Sequence, residues 1–76
     1  MQTITSTLDA RGLNCPLPIL RTRKALAGLG SGDTLKIIAS DPGSVKDIDS
    51  FCNQTGHLLI ASNDEQGEFT FIVKKS

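Results

Sequence analysis

One cysteine of this sequence lies where a thiol can do chemistry. Cys15 belongs to the tetrapeptide Cys-Pro-Leu-Pro, at the predicted start of a helix. Proline suits the first turn of a helix, where its fixed φ stiffens the backbone. The positive end of a helix stabilises a thiolate, so we expect the pKa of Cys15 to lie below the ordinary value of about 8.5. Cys15 is therefore the predicted nucleophile, on a helix-start platform formed by Pro16 and Pro18.

The surroundings of this thiol predict only a moderate lowering of its pKa. Both prolines lack an N–H group, which leaves the N–H of Leu17 as the free donor of the first helical turn. Arg11 is near enough in the sequence to add positive charge. One donor, the helix dipole and one cation stabilise the thiolate less than the several groups that act together on the thiol of a strong dithiol oxidant.

The number and positions of the remaining cysteine and histidine residues argue against several kinds of active site. A cysteine hydrolase needs a base beside its nucleophile, and the one histidine, His57, is predicted at the opposite end of the sheet. A Cys-x-x-Cys pair is absent, and two cysteines with one distant histidine are too few for a zinc site. Cys52 falls on the predicted core face of a helix, where cysteine packs as a small apolar residue. No cofactor and no metal are expected.

The periodicity of apolar residues predicts four strands and two amphipathic helices in the order β-α-β-α-β-β. The first helix opens at Pro16 and stops at Gly28, and the second is capped by Asp41 and runs to about Thr55. The predicted strands cover residues 3–9, 33–40, 57–62 and 68–74, and a five-residue loop at 63–67 joins the last two. The predicted core faces are Pro18, Ile19, Thr22, Ala25, Leu26 and Leu29 in the first helix and Val45, Ile48, Phe51 and Cys52 in the second.

This order of elements predicts the α/β (α+β) class, as a two-layer sandwich. Strand-helix-strand units are right-handed, so both helices cover one face of the sheet. Both helices start at the carboxyl ends of strands, which brings Cys15 and Asp41 to one edge, with the 63–67 turn beside them if the third strand is parallel to the second. The uncovered face is predicted to carry Thr3, Thr5, Thr7, Lys36, Ile38, Thr70, Ile72 and Lys74.

Length and charge narrow the classes of function. The 76 residues suffice for a single domain, 1–76. Eight basic residues balance eight acidic ones, and Trp and Tyr are absent, which disfavours a dedicated nucleic-acid binder. The sequence has neither the apolar run of a membrane helix nor the pattern of a signal peptide. We therefore expect a cytoplasmic protein that binds no membrane and no nucleic acid directly.

Nearly the whole sequence, from about Ile4 to Lys74, resembles the TusA family of sulfur carriers, also called SirA-like. The motif Cys-Pro-x-Pro follows a Leu-Asp-x-x-Gly-Leu lead that begins at Leu8. An Asp-Pro pair after the second strand and the pair Phe51-Cys52 strengthen the resemblance. It implies a mixed sheet of strand order 1-2-4-3 with the last strand antiparallel, and a persulfide carried on Cys15.

The resemblance also implies partners. A cysteine desulfurase would donate the persulfide and an acceptor sulfur-relay protein would collect it, on a route that ends in the 2-thiouridine of tRNA. Such a carrier has no independent turnover as an enzyme. The side of the first helix that faces away from the core is the predicted docking surface. The candidate partner-binding residues are Leu17, Leu20, Arg21, Lys24, Arg11 and Asp41.

Two other interpretations stay open at this point. Similar α/β sandwiches bind RNA, so a regulatory or RNA-associated binding module is the alternative function, against which the zero net charge and scarce aromatic residues count. A redox-sensing thiol protein would need Cys15 to pair with Cys52 or with another chain. The predicted core position of Cys52 argues against the first of these pairings.

Overall fold

A computed structural model describes residues 4–76 and contains two helices and one four-stranded sheet. The order of elements is the predicted one. The first predicted strand began at residue 3, and this residue, together with the outer-face position of Thr3, lies outside the described residues. The elements are β1 (Ser6–Ala10), α1 (Leu17–Ala27), β2 (Thr34–Ala39), α2 (Gly43–Thr55), β3 (Leu58–Glu65) and β4 (Glu68–Lys74).

The strand order β1-β2-β4-β3 confirms the order that the resemblance implied. β1 and β2 are parallel, and β4 is antiparallel to both of its neighbours. β3 therefore runs in the same direction as β2. As a result the turn between β3 and β4 lies at the edge of the sheet where both helices begin, as predicted.

The connection between β3 and β4 is shorter than predicted. Asn63 pairs with Thr70 and Glu65 with Glu68, so the expected five-residue loop at 63–67 is wrong and the turn consists of Gln66 and Gly67. Both turn residues have positive φ, 53° and 82° respectively. Two such residues give a turn whose twist matches that of the flanking strands. The hairpin thus extends to the edge that carries the site.

The core lies between the helices and one face of the sheet. Alternate residues of β2 and β4 are buried there, as the period of two in a strand requires. α1 and α2 pack against each other on this same face. The predicted core face of α1 is confirmed, because Pro18, Thr22 and Leu26 are buried and the others are half-buried. The buried strand residues are Leu35, Ile37 and Ala39 of β2 and Phe69, Phe71 and Val73 of β4.

The core face of α2 differs from the prediction at one position. Ile48, Phe51 and Cys52 are buried as expected, but Val45 is 40% exposed and Ser44 is buried in its place. Ser44 and Ile48 are four residues apart, and Phe51 and Cys52 follow at the next turn, so they form one stripe. Val45 lies 100° away from Ser44 on the helix and points toward solvent.

Two truncations of α2 separate these positions. We expect Ile48→Ala to lower the free energy of unfolding by about 2–5 kcal/mol, because it leaves a cavity in the core. Val45→Ala removes an exposed side chain and should cost less than about 1 kcal/mol. Urea denaturation measures both values. Equal losses in the two variants would contradict the observed face of α2.

Candidate functional site

The loop between β1 and α1 is held against the end of β2. The N–H of Gly12 donates to the Ser40 Oγ at 2.8 Å, and the N–H of Leu13 donates to the Ala10 carbonyl at 3.2 Å. Gly12 has a φ of 82°, in the left-handed region that side chains disfavour. These contacts direct the following residues, Asn14 and Cys15, toward the start of α2.

Asp41 connects the Cys15 loop to α2. Its Oδ2 accepts the backbone N–H of Cys15 at 2.8 Å, and its Oδ1 accepts the N–H of Gly43 at 3.0 Å. These two backbone hydrogen bonds lower the pKa of Asp41. The predicted meeting of Cys15 and Asp41 at one edge is confirmed. The predicted helix boundary is one residue off, because α2 begins at Gly43, with Pro42 at the cap position.

Cys15 does not occupy the predicted place at the helix start. α1 begins at Leu17 with Pro16 at the cap position, so Cys15 lies one residue further out, and its peptide bond to Pro16 is cis. The N–H of Leu17 donates to the Asn14 carbonyl at 2.8 Å. The donor expected to stabilise a thiolate is thus already engaged. Pro18, the second proline of the predicted platform, is buried against the core.

A carboxylate contacts the thiol directly. The Sγ of Cys15 donates to the Oδ2 of Asp47 at 2.7 Å. This hydrogen bond is the largest cause that raises the pKa of Cys15, followed by desolvation and by the negative charges of Asp47 and Asp41. The predicted lowering of this pKa is therefore wrong. A carboxylate that accepts the thiol proton stabilises the neutral form, and nearby anions disfavour another anion.

The expected positive charge near the thiol is engaged elsewhere. The guanidinium of Arg11 binds Asp9 at 2.9 Å and Glu68 at 3.4 Å. The hydrogen bonds from Arg11 lower the pKa of Asp9 to about 2. Arg11 thus joins the end of β1 to the start of β4. The charges that act on the Cys15 thiol are those of Asp47 and Asp41.

A groove of about 240 Å³ runs between α1 and α2 from the Cys15 thiol. Its apolar lining is formed by Pro16, Ile19 and Phe51. The guanidinium of Arg23 stands over the Phe51 ring at 5.8 Å from its centroid, within the range of a cation–π contact. The polar side chains that line the groove are Arg23, Asp47, Ser50 and Gln54.

None of these four polar residues was predicted as part of the site. On a helical wheel, Asp47, Ser50 and Gln54 of α2 lie on one flank of the buried stripe. This shared flank is a feature of the sequence by which they can be recognised as a group. The wheel does not say which flank of α2 faces α1, and that depends on the packing of the two helices. Asp47 matters most among them, because it is the group that touches the thiol.

The predicted docking residues lie outside this groove. Leu17 is 42% exposed and Leu20 is 51% exposed. Arg21 and Lys24 are exposed on the same helix. None of the four lines the groove. Together they form the surface that we call the α1 outer face.

The second cysteine and the histidine lie where the sequence predicted. Cys52 is buried at 4% exposure, and burial is the main cause that raises its pKa. His57 precedes β3 at the opposite edge, where its Nδ1 accepts the N–H of Ser76 at 3.1 Å. Within residues 4–76 no cluster of His, Cys, Asp and Glu side chains could hold a metal ion. Neither helix is long and apolar enough to cross a membrane.

Comparison with known proteins agrees with the cysteine motif. Residues 6–75 match the sequence model of a family described as Sulfurtransferase TusA. The chain belongs to the TusA family of sulfur carriers. It is similar to the sulfur carrier protein TusA of Allochromatium vinosum, with 59% identity over 69 residues that cover 91% of each chain.

A solved structure supports the TusA-family fold. The crystal structure of a SirA-like protein from Desulfitobacterium hafniense matches with a TM-score of 0.82 at 25% identity, and the match covers 92% of this chain and 96% of that chain. The family and the fold that the sequence implied are both confirmed. Within this fold, the Cys-Pro-x-Pro segment of the TusA family brings the thiol into contact with Asp47.

The carboxylates near Cys15 predict that its thiol is alkylated slowly at neutral pH. The thiolate is the form that reacts with iodoacetamide, and the raised pKa of Cys15 reduces the thiolate fraction at neutral pH. We expect the rate of Cys15 alkylation to rise with pH to a midpoint above that of an unperturbed cysteine. Cys52 should react only after unfolding. Peptide mass spectrometry at each pH measures both rates, and a Cys15 midpoint near neutral pH would contradict the contact with Asp47.

Proposed function

We propose that Cys15 carries sulfur as a persulfide between a cysteine desulfurase and an acceptor sulfur-relay protein. The observation that carries this proposal is the exposed thiol of the Cys-Pro-x-Pro motif at the end of an open groove. The other thiol, Cys52, is buried and out of reach of a partner protein. A sulfur atom that enters or leaves the domain therefore has Cys15 as its point of attachment.

The chemistry is an exchange between thiols. The sulfur of Cys15 attacks the terminal sulfur of the donor's persulfide, and the sulfur–sulfur bond of the donor breaks. The donor cysteine keeps the electron pair of that bond as a thiolate. An acceptor thiol later attacks the terminal sulfur on Cys15 in the same way. The transferred sulfur keeps its oxidation state in both steps, so the exchange needs no cofactor and no metal ion.

The position of Cys15 suits a carrier that serves two partners. The thiol is exposed, yet its backbone is fixed by the hydrogen bond from its N–H to Asp41. A fixed and exposed sulfur can be presented to one protein and then to another without a change in the domain. The donor and the acceptor supply the remaining groups, and so the carrier itself needs no independent turnover.

The compartment and the final product are further parts of the proposal, which this chemistry and the family support. A free exposed thiol and a free buried thiol persist best in the reducing cytoplasm, where we place the protein. We further propose that the relay contributes sulfur to the 2-thiouridine of tRNA, which the resemblance to the TusA family implies. The modification itself belongs to the acceptor side of the relay. The carrier then needs no nucleic-acid surface of its own.

We also propose the α1 outer face as the docking surface for a partner. Leu17 and Leu20 are large apolar side chains exposed next to the Cys15 loop. Apolar contacts of this kind hold a complex together, whereas the neighbouring cations Arg21 and Lys24 speed the encounter with an acidic partner. Arg11 and Asp41, the other two candidates, already hold the loop and the strand ends in place.

Loading with sulfur tests the carrier function. After incubation with a cysteine desulfurase and cysteine, we expect intact-protein mass spectrometry to detect one added sulfur that a reductant removes. Cys15→Ser should abolish the gain, and Cys52→Ser should retain it. Cys52→Ser should also lower the free energy of unfolding by about 1–3 kcal/mol, because a buried hydroxyl lacks a partner. A sulfur mapped to Cys52, or no gain in the unaltered protein, would overturn the proposed function.

Charge reversal tests the docking surface. The double variant Arg21→Glu with Lys24→Glu should slow persulfide loading by roughly tenfold at low salt, since the encounter loses its electrostatic attraction. The matched control reverses two cations on the uncovered face of the sheet, Lys36→Glu with Lys74→Glu. This control has the same net charge and should load at the normal rate. Equal slowing in both double variants would assign the effect to net charge and refute the docking surface.

A further inference from the structure

We propose that Asp47 is the proton acceptor for Cys15 when its sulfur attacks the donor's persulfide, and the proton donor when that sulfur leaves. This inference rests on the proposed function of Cys15. It gives the thiol a base. From the sequence, only His57 was considered as a base, and His57 lies at the opposite edge of the sheet. The proposed role makes Asp47 a catalytic residue, because its carboxylate touches the reacting sulfur atom.

The geometry of the contact is that of a base in reach of its proton. The Cys15 Sγ and the Asp47 Oδ2 are 2.7 Å apart, within the range expected for proton transfer between a nucleophile and its base. Asp47 is the fifth residue of α2 and is half-buried, so the helix backbone fixes its place. Cys15 is fixed from the other side by the hydrogen bond from its N–H to Asp41.

The other charged groups near the thiol have different partners. The carboxylate of Asp41 accepts two backbone N–H groups. Arg23, across the groove on α1, stands over the ring of Phe51. Arg11, in the loop between β1 and α1, is bound by Asp9 and Glu68. Asp47 is thus the charged side chain that accepts the S–H of Cys15.

The loading step balances with Asp47 in this role. The proton of the Cys15 thiol moves to the Oδ2 of Asp47 while a bond forms between the Cys15 Sγ and the terminal sulfur of the donor. The sulfur–sulfur bond of the donor breaks, and the donor cysteine leaves with the electron pair as a thiolate. Asp47 then returns the proton to this thiolate. One neutral sulfur atom has moved, and nothing has been oxidised or reduced.

The delivery step uses the same atoms in reverse order. The proton of the acceptor's thiol moves to Asp47 while the acceptor's sulfur attacks the terminal sulfur on Cys15, and the bond between the two sulfurs of the persulfide breaks. The Cys15 Sγ takes the electron pair of that bond and receives the proton from Asp47. Because forward and reverse transfer pass through the same arrangement, one carboxylate serves both the donor and the acceptor.

Removing the charge of Asp47 should therefore have two opposite effects. An asparagine at this position has nearly the same shape but can neither take up the proton nor repel a thiolate. The isolated variant Asp47→Asn should ionise Cys15 at lower pH, so that alkylation at neutral pH becomes faster. Sulfur transfer, which needs the proton acceptor, should become slower by about 100-fold, in the usual range for loss of a general base.

The experiment measures both rates on the same variants. The first rate is alkylation of Cys15 by iodoacetamide, in the chain alone, over a range of pH. The second is single-turnover loading from a cysteine desulfurase that already carries its persulfide. Asp49→Asn is the matched control, since it removes the same charge from an exposed position of α2 and should change neither rate at Cys15. Asp47→Glu keeps a carboxylate and should restore loading to within about tenfold of the unaltered protein.

The outcomes separate this inference from simpler roles of Asp47. Faster alkylation with slower loading in Asp47→Asn is the expected result. Faster alkylation with faster loading would overturn the inference, because Asp47 would then only repel the thiolate. Slower loading in both Asp47→Asn and Asp47→Glu, with unchanged alkylation, would overturn it in favour of a structural role. If the unaltered protein gains no sulfur on Cys15, the proposed function itself fails, while the alkylation profiles still report the contact with Asp47.

Discussion

The carboxylate of Asp41 is the constraint on which the site depends. Its two oxygens accept N–H groups from Cys15 and Gly43, so one side chain joins the loop before α1 to the start of α2. The loop runs from the end of β1 to Pro16, and its backbone hydrogen bonds join Leu13 to the Ala10 carbonyl and Leu17 to the Asn14 carbonyl. Without the tie to Asp41, the contact between the Cys15 Sγ and Asp47 would depend on the loop alone. The same hydrogen bonds lower the pKa of Asp41, so its carboxylate stays ionised and keeps both of them in mild acid.

This arrangement reverses the usual logic of a reactive cysteine. Many reactive thiols have a lowered pKa and gain thiolate at the expense of nucleophilic strength. Here two carboxylates raise the pKa of Cys15, so the sulfur is a stronger nucleophile when ionised but is rarely ionised at neutral pH. A base in contact with the S–H resolves this conflict, because the proton then needs to leave only during the attack. The free carrier meanwhile stays slow toward adventitious electrophiles.

Periodicity and chain connectivity were enough to predict the two-layer sandwich and the edge that holds Cys15 and Asp41, whereas the strand order was predicted from the family resemblance. The elements are strongly patterned, and right-handed crossovers leave few topologies for two helices on one face. Three features needed the packed structure. The buried stripe of α2 includes Ser44 and leaves Val45 exposed. Gln66 adopts a positive φ, which is not predicted for a glutamine. The contact of Asp47 with the thiol depends on which flank of α2 faces α1.

Under the proposed function, the burial of Cys52 protects the sulfur on Cys15. A persulfide is attacked readily by a second thiolate in the same chain, which would close a disulfide and release the carried sulfur as sulfide. Cys52 is 4% exposed and packs on the face of α2 that meets the sheet. Burial also raises the pKa of Cys52, which favours its neutral thiol over the thiolate that would attack the persulfide proposed on Cys15. The core therefore limits the chain to one reactive sulfur, and a carrier that must release its sulfur only to a partner needs that limit.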